Sequence, residues 1–390
     1  MVAAVNPVNI PLVKDTISRE EILALSDWLR SFPRLTKGEL TPEFEKNWSE
    51  WQGCKYSVFV NSGSSANLLM FYALLLSGRL KNKKIIVPAV SWVTTVAPAI
   101  QFGLDAIVCD CDPETLGLDI AHLERLVEEH GPAAIILVHV LGFPNKMDEI
   151  TAICKDRDII LLEDSCESLG SLYKGVKTGN FGSMSSFSLY FGHHLSTIEG
   201  GMICTDDEEL KDLLISLRSH GWDRDLPPAR QSEIRSHYGI DDFRALYTFY
   251  HPGFNVRSTD LQAFLGLEQL KKADKVVGNR NRNFLAYDST IKDFQYKVRQ
   301  AEGTLVSNFC YPLITEKRDE LVAELARAGV DSRPLVCGSI ARHPFWYERY
   351  GRTELPFADI VHDHGMYIPN NHEMTSAEIE YVANVVNSVL

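Results

Sequence analysis

The sequence predicts an α/β protein: a large domain with a mixed, mostly parallel sheet and helices on both faces, followed by a small α+β domain. Two observations carry this. From Tyr56 to about residue 165, short apolar runs alternate with helical stretches, the βα pattern of a sheet with helical crossovers. From about residue 273 the pattern changes to a charged helix, a strand and shorter helix–strand units. The N-terminal arm and large domain are placed at 1–255 and the small domain at 256–390, from pattern alone, since no Gly/Ser linker marks the change.

Residues 1–17 read as an extended arm with Pro7 and Pro11. A helix starts at Ser18 with Glu20 and Glu21 in its first turn, where the positive helix end favours acidic side chains. Another helix covers about Pro42–Trp51. The first strand, Tyr56–Val60, runs into Asn61-Ser62-Gly63-Ser64-Ser65-Ala66-Asn67 and then an apolar helix. Such a turn makes an anion site, because free backbone N–H groups and the positive helix end converge there. A plain helix cap fits the same residues.

The strand Lys84–Val87 leads to Trp92, at a strand end and a helix start, where an indole can lie on a planar ring or pack into the core. Strands follow at Ala106–Cys109 and Ala133–Val140, with a helix near Ile120–Glu129 between them; His139 reads as structural. The strand Ile159–Leu162 ends in Glu163-Asp164-Ser165-Cys166-Glu167-Ser168. A carboxylate just past a buried strand is costly unless a cation or donors meet it. Asp164 is therefore the partner of a buried positive group or a helix N-cap.

Residues 182–205, GSMSSFSLYFGHHLSTIEGGMICT, hold a polar loop between two strands, Ser185–Tyr190 and Met202–Cys204, with His193-His194 at its apex. Loops on strand ends commonly carry catalytic side chains. Taken alone, the pair also reads as two satisfied loop histidines. The loop has no lysine; Lys174 and Lys177 lie in a Gly-rich turn that reads as a surface hairpin. Beyond it, His220 and Arg224 in RSHGWDRDLPP are candidates for a substrate phosphate or sugar, or a solvated loop. The polar stretch Arg230–Asp242 is expected to be mobile, and the helix Leu261–Leu270 follows. The small domain is expected to hold a helix Lys275–Thr290, a strand Thr304–Pro312, a helix Glu316–Ala328 and a strand toward Arg333-Pro334. Met366–Pro369 and a last helix Thr375–Leu390 close the chain. Arg333 is a further candidate for substrate phosphate.

The formal charge of −13 argues against a nucleic-acid surface, which needs clustered Lys and Arg. The eight cysteines are scattered without a CxxC, and Cys109 and Cys111 fit strand-end residues better than a metal site. No signal-peptide pattern is seen, and the longest apolar run, Leu68–Leu76, is too short for a bilayer. A cytoplasmic protein with reduced thiols is expected.

The 182–205 stretch resembles the active-site loop of the DegT/StrS nucleotide-sugar aminotransferases, a pyridoxal-phosphate (PLP) family of the aspartate aminotransferase fold. There a lysine stands six residues before the glutamate of Gly-Glu-Gly-Gly and forms the Schiff base with PLP. Six residues before Glu199 this chain has His193. A histidine in that slot resembles the family's PLP-dependent sugar 3-dehydratases, most of all those acting on GDP-4-keto-6-deoxymannose in deoxysugar biosynthesis for a lipopolysaccharide O-antigen. The resemblance spans nearly the whole chain. It implies that Gly63, Ser64, Ser65 and Ser188 hold the PLP phosphate, Trp92 stacks on the ring, Asp164 meets the ring nitrogen and Glu167 lies near the ring hydroxyl. It implies too that Asn255, in Gly-Phe-Asn-Val-Arg, reaches a neighbour's cofactor phosphate across a homodimer.

Histidine cannot form a stable imine, so PLP or its amine form, PMP, is expected to be held without a covalent bond. It can still move protons, since its ordinary pKa is near neutral. Removal of a proton from cofactor C4′ would expel the C3 hydroxyl of a condensed 4-keto sugar; glutamate would regenerate PMP, and ammonia would leave. A related CDP-sugar 3-dehydratase uses an iron–sulfur cluster on a close cysteine set. No cysteine occurs here between Cys204 and Cys310, so no cluster is expected. The competing readings are a sugar aminotransferase with another lysine, a non-catalytic sugar-nucleotide-binding homologue, and a nicotinamide oxidoreductase. The last lacks the GxGxxG spacing.

Overall fold

A computed structural model describes residues 9–390; Pro7 and the start of the expected arm lie outside them. From Ile10, which pairs with Val330, the arm runs over the body, and Ile10 and Leu12 are buried. The helix Arg19–Leu29 begins where expected, because Ser18 and Glu21 form a reciprocal cap.

The strands are β1 Tyr56–Val60, β2 Lys84–Pro88, β3 Asp105–Cys109, β4 Ala134–Val138, β5 Ile160–Asp164, β6 Leu172–Tyr173, β7 Val176–Lys177, β8 Met184–Ser188, β9 Gly201–Thr205, β10 Thr304–Leu305, β11 Cys310–Ile314, β12 Arg333–Pro334 and β13 Gly365–Pro369. Seven of them form the central sheet in the order β1-β9-β8-β5-β4-β2-β3. Every neighbouring pair is parallel except the two that involve β9. The C-terminal ends of β1, β2, β5 and β8 therefore share one edge, the edge where open α/β sheets bind ligands.

Alternation along the strands sends side chains to opposite faces. Ile85, Val87, Ile136 and Val138 pack with Leu69, Met70 and Ala73 of the helix Gly63–Leu76. Their neighbours Ile86, Ile135 and Leu137 pack on the other face with Leu123 and Leu126 of the helix Ile120–His130 and with Met147 and Ile150 of the helix Met147–Asp156. Burial on both faces explains why β4 reads AIILV without a polar residue.

β6 and β7 form the expected hairpin with Lys174 at its turn. The single strand expected at Thr304–Pro312 is two: β10 joins that hairpin, and β11 joins a small sheet of order β11-β13-β12. Between them Ser307 N–H donates to Ser171 Oγ and pins the chain to the large domain. The stretch expected to be mobile at Arg230–Asp242 is largely the helix Pro228–Tyr238, opened by Pro228 and closed by Gly239 at φ 64°. It buries no residue, so it lacks the apolar stripe by which a surface helix is read. Among the described residues no helix is long and apolar enough to cross a membrane.

Candidate active site

A cavity of about 420 Å³ opens at the shared strand edge and is closed from the small domain by Phe309, Val336 and Tyr367. Of the residues expected at the site, Gly63, Ser64, Trp92, Asp164, Glu167, Ser188 and His193 line it.

At one end stands the first turn of the helix Gly63–Leu76. Ser62 caps it, accepting a hydrogen bond from the Ser65 N–H at 3.0 Å. The Ser62 hydroxyl also donates to Ser65 Oγ at 3.0 Å, so Ser65 is spent on the cap and does not line the cavity. Gly63 and Ser64 remain at the helix N-terminus, an anion-binding position. A Cβ on Gly63 would lie 2.7 Å from Ser188 Cβ and 3.1 Å from Cys166 Sγ, so glycine is what lets the turn approach β8.

Asp164 ends β5 and is buried. Asn67 Nδ2 donates to its Oδ2 at 2.7 Å, Thr95 Oγ1 to the same oxygen at 2.8 Å, and Cys166 N–H to Oδ1 at 3.1 Å. No lysine or arginine lines this cavity among the described residues, so the carboxylate has donors but no counter-charge. A protonated ring nitrogen would supply one. Trp92 caps the helix Val93–Gln101 and stays 54% exposed, leaving its indole available to a flat ring. The helix end, the indole and the unpaired buried carboxylate together fit PLP: phosphate, ring face and ring nitrogen.

Glu167 is buried one turn past β5, and Leu141 N–H donates to its Oε2 at 2.7 Å. Leu141 holds a positive φ of 47° to make that contact. Burial pushes the Glu167 carboxyl up to about 8; Asp164 adds to the rise and the Leu141 bond opposes it.

His193 presents its ring to the cavity, with Nδ1 2.7 Å from the Cys166 carbonyl oxygen. A carbonyl only accepts, so Nδ1 carries the hydrogen and Nε2 keeps the lone pair. Burial lowers the imidazole's pKa, while the Cys166 carbonyl and Asp164 pull the other way. His194 points elsewhere: it is buried, Nε2 lies 3.0 Å from the Ser307 carbonyl, and it does not reach the cavity. The two lysines nearest in sequence are occupied away from the site, Lys174 by Asp148 and Lys177 by the Trp51 carbonyl. His139 is structural as expected: its Nδ1 accepts from Asn145 N–H at 3.1 Å, and Nε2 donates to Glu163 Oε2 at 3.0 Å.

Besides Ser65, four expected residues do not line this cavity within one chain. Asn255 is exposed and accepts from Arg257 Nε at 3.1 Å. His220 meets the Trp222 ring edge-on, and Arg224 lies over the same ring at 4.4 Å. Arg333 is exposed on β12 beside Tyr367, which does line the cavity. Sequence reading also passed over Asn67, Thr95, Phe309 and Tyr367. Asn67 stands one turn beyond Gly63 and was recoverable from helical spacing, whereas Phe309 and Tyr367 arrive from the small domain with no local signal. Among the described residues no group of three His, Cys, Asp or Glu side chains forms a metal-ligand set.

The family model described as the DegT/DnrJ/EryC1/StrS aminotransferase family matches residues 15–387. The chain is 37% identical to a GDP-4-keto-6-deoxy-D-mannose 3-dehydratase of Yersinia pseudotuberculosis, over 97% of this chain and 98% of that one. Its backbone matches a crystal structure of GDP-4-keto-6-deoxymannose-3-dehydratase with a trapped PLP–glutamate geminal diamine at TM-score 0.89. Identity is 36%, over 97% of this chain and 100% of that one. A mutant of that enzyme with bound GDP-perosamine matches at the same TM-score, identity and coverage. With a match over nearly its full length, the chain belongs to the DegT/DnrJ/EryC1/StrS aminotransferase family and has its PLP-dependent transferase fold.

Proposed function

We propose that this chain is a PLP-dependent lyase that removes the C3 oxygen of a nucleotide-linked 4-keto-6-deoxy sugar, GDP-4-keto-6-deoxymannose. One observation carries the proposal: in a family whose aminotransferases tether the cofactor by lysine, His193 faces the cavity and no lysine lines it among the described residues. Full-length likeness to GDP-4-keto-6-deoxymannose 3-dehydratases supports the same choice of substrate.

When bound, the cofactor in its PMP form supplies an amine for the sugar ketone and an electron sink for the breaking C–O bond. Gly63, Ser64 and Ser188 hold its phosphate at the helix N-terminus. Trp92 covers the ring, Asp164 faces the ring nitrogen, and Glu167 stands near the ring hydroxyl. His193 accepts a proton at Nε2 and delivers it to the departing C3 hydroxyl. Without a lysine the product has no amine to displace it, so water releases the deoxygenated sugar and ammonia. Glutamate is the co-substrate that restores the amine form.

Among the described residues the cavity is lined by Asp164, Glu167 and Glu199 but by no lysine or arginine, although a phosphate and a sugar diphosphate must both be met. A homodimer with shared sites resolves this. Asn255 reaches the partner's cofactor phosphate, and His220, Arg224 and Arg333 meet substrate. The segment beyond Arg224 exposes Phe243 and Tyr247 at 84% and 77%, the kind of apolar surface a partner covers. The enzyme works in the cytoplasm without nucleic acid, membrane or iron–sulfur cluster.

The test is incubation with PMP, glutamate and GDP-4-keto-6-deoxymannose, followed by sugar mass and ammonia assays. Loss of the C3 oxygen with ammonia release is expected. A stable amino sugar would make the chain an aminotransferase, and an unchanged sugar would make it a binding protein.

A further inference from the structure

Arg280 sits mid-helix in Ala273–Thr290 and is 2% exposed. Its Nη2 donates to the His193 carbonyl at 2.9 Å and its Nη1 to the Asn370 carbonyl at 2.7 Å. Asn370, just past β13, returns a bond from Nδ2 to the Arg280 carbonyl at 3.1 Å. No carboxylate pairs with this guanidinium among the described residues, and Nε has no partner at all. Buried arginines normally face a carboxylate, because an uncompensated buried charge is expensive. Burial brings this one down to about 10, with Cys310 opposing the fall, so it stays cationic at neutral pH.

His193 is thus held at both ends, the ring by the Cys166 carbonyl and the backbone by Arg280. The groups facing it are Asp164, Cys166 and Glu167 from the end of β5, Tyr190, His194 and Glu199 from its own loop, Tyr367 from β13, and Arg280. Asp164 favours the imidazolium, and Arg280 opposes it.

We propose that Arg280 is a positioning residue for the reaction. Its guanidinium clamps the His193 carbonyl to that of Asn370, and its uncompensated charge, beside a ring already stripped of water by burial, opposes a positive charge on His193. This rests on His193 being the base proposed above. It also gives the buried charge a use: a carboxylate partner would cancel the field that acts on the imidazole.

The experiment is a substrate-free titration of ¹³C-histidine-labelled protein by NMR, with the His193 resonance assigned by its loss in His193→Asn. In Arg280→Gln the His193 midpoint is expected to rise by on the order of one pH unit. The acid limb of kcat should move with it, while KM for the nucleotide sugar stays put. Arg280→Lys keeps the charge and should hold the midpoint near wild type, with turnover largely recovered. An unmoved midpoint in Arg280→Gln, or a lysine variant as impaired as the glutamine one, would overturn the proposal. Should neither variant fold, the wild-type guanidinium is read instead: Arg280 Nη protons protected from solvent exchange are expected from the bonds to the His193 and Asn370 carbonyls, and freely exchanging ones would overturn the proposal. If His193→Asn keeps full turnover, the assignment of His193 as the base fails instead, a result the titration cannot mimic.

Discussion

The Nδ1 of His193 lies 2.7 Å from the carbonyl oxygen of Cys166, and that contact selects the working nitrogen. Cys166 follows Asp164 by two residues, so the strand that presents the carboxylate also orients the imidazole. The groups proposed for ring nitrogen and proton transfer are in register through a single chain segment.

Replacing His193 with Asn removes the Nε2 lone pair and leaves the helix end, Trp92 and Asp164 untouched. Deoxygenation is expected to fall by about 100- to 10,000-fold, the usual worth of a positioned base. Cofactor absorbance should show binding retained. Sugar mass after single-turnover incubation reads the loss directly, and undiminished conversion would move the base elsewhere.

Asp164→Asn keeps the shape but not the charge. Asn67 and Thr95 now donate to it, and an amide would accept one set of those bonds while presenting its own N–H to the ring nitrogen. Cofactor affinity is expected to weaken by about tenfold or more and turnover by a larger factor, since an interaction with a charged partner is lost. Spectrophotometric titration with PLP checks the first and the ammonia assay the second.

Gly63→Ala tests the close approach of the first helical turn to β8. Its methyl would press on Ser188 Cβ at 2.7 Å, which backbone movement must relieve. Overpacking of this kind costs about 1–3 kcal/mol. Phosphate grip should suffer as well, so PLP affinity is expected to drop together with thermal stability. A variant with unchanged melting and unchanged PLP affinity would show that the turn has slack.

Glu167 carries a pH signature. Its carboxyl sits at about 8 in the fold against an ordinary 4.5, so between those values the folded protein holds a proton that the unfolded chain has released. Stability from this group is therefore full below pH 4.5 and declines as pH rises toward 8, by a few kcal/mol in all. Glu167→Gln should melt higher than wild type at pH 8.5 in cofactor-free protein, with the gap closing at pH 4.5. A gap independent of pH would mean that Glu167 ionises normally.

Much of this was legible in advance because the chemistry is local. β1 falls where Tyr56–Val60 was expected, and the Gly63 turn, Trp92, Asp164 and the His193 loop each stand at a strand end; Glu167 and Ser188 came only through the family resemblance, and all line the cavity. What was missed depends on distance. Phe309, just before β11, and Tyr367 of β13 close the cavity from more than a hundred residues beyond His193, and nothing in their own neighbourhood says so. Ser65 meets the cap rather than the cavity, because a serine in a helix-opening turn can face either one and the Ser62 contact is not legible in the sequence. The helix Pro228–Tyr238 escaped notice because it has no apolar face to reveal its period.

The central claim is that an imidazole stands where a lysine would capture the cofactor, and borohydride treatment of the PLP-loaded protein tests it most directly. Lysine-tethered PLP becomes irreversibly fixed by reduction, whereas PLP held by the helix end, Trp92 and Asp164 washes out on denaturation. The expected result is intact protein of unmodified mass after reduction and unfolding. A mass increase of one reduced pyridoxyl phosphate group, mapped to any lysine, would contradict it.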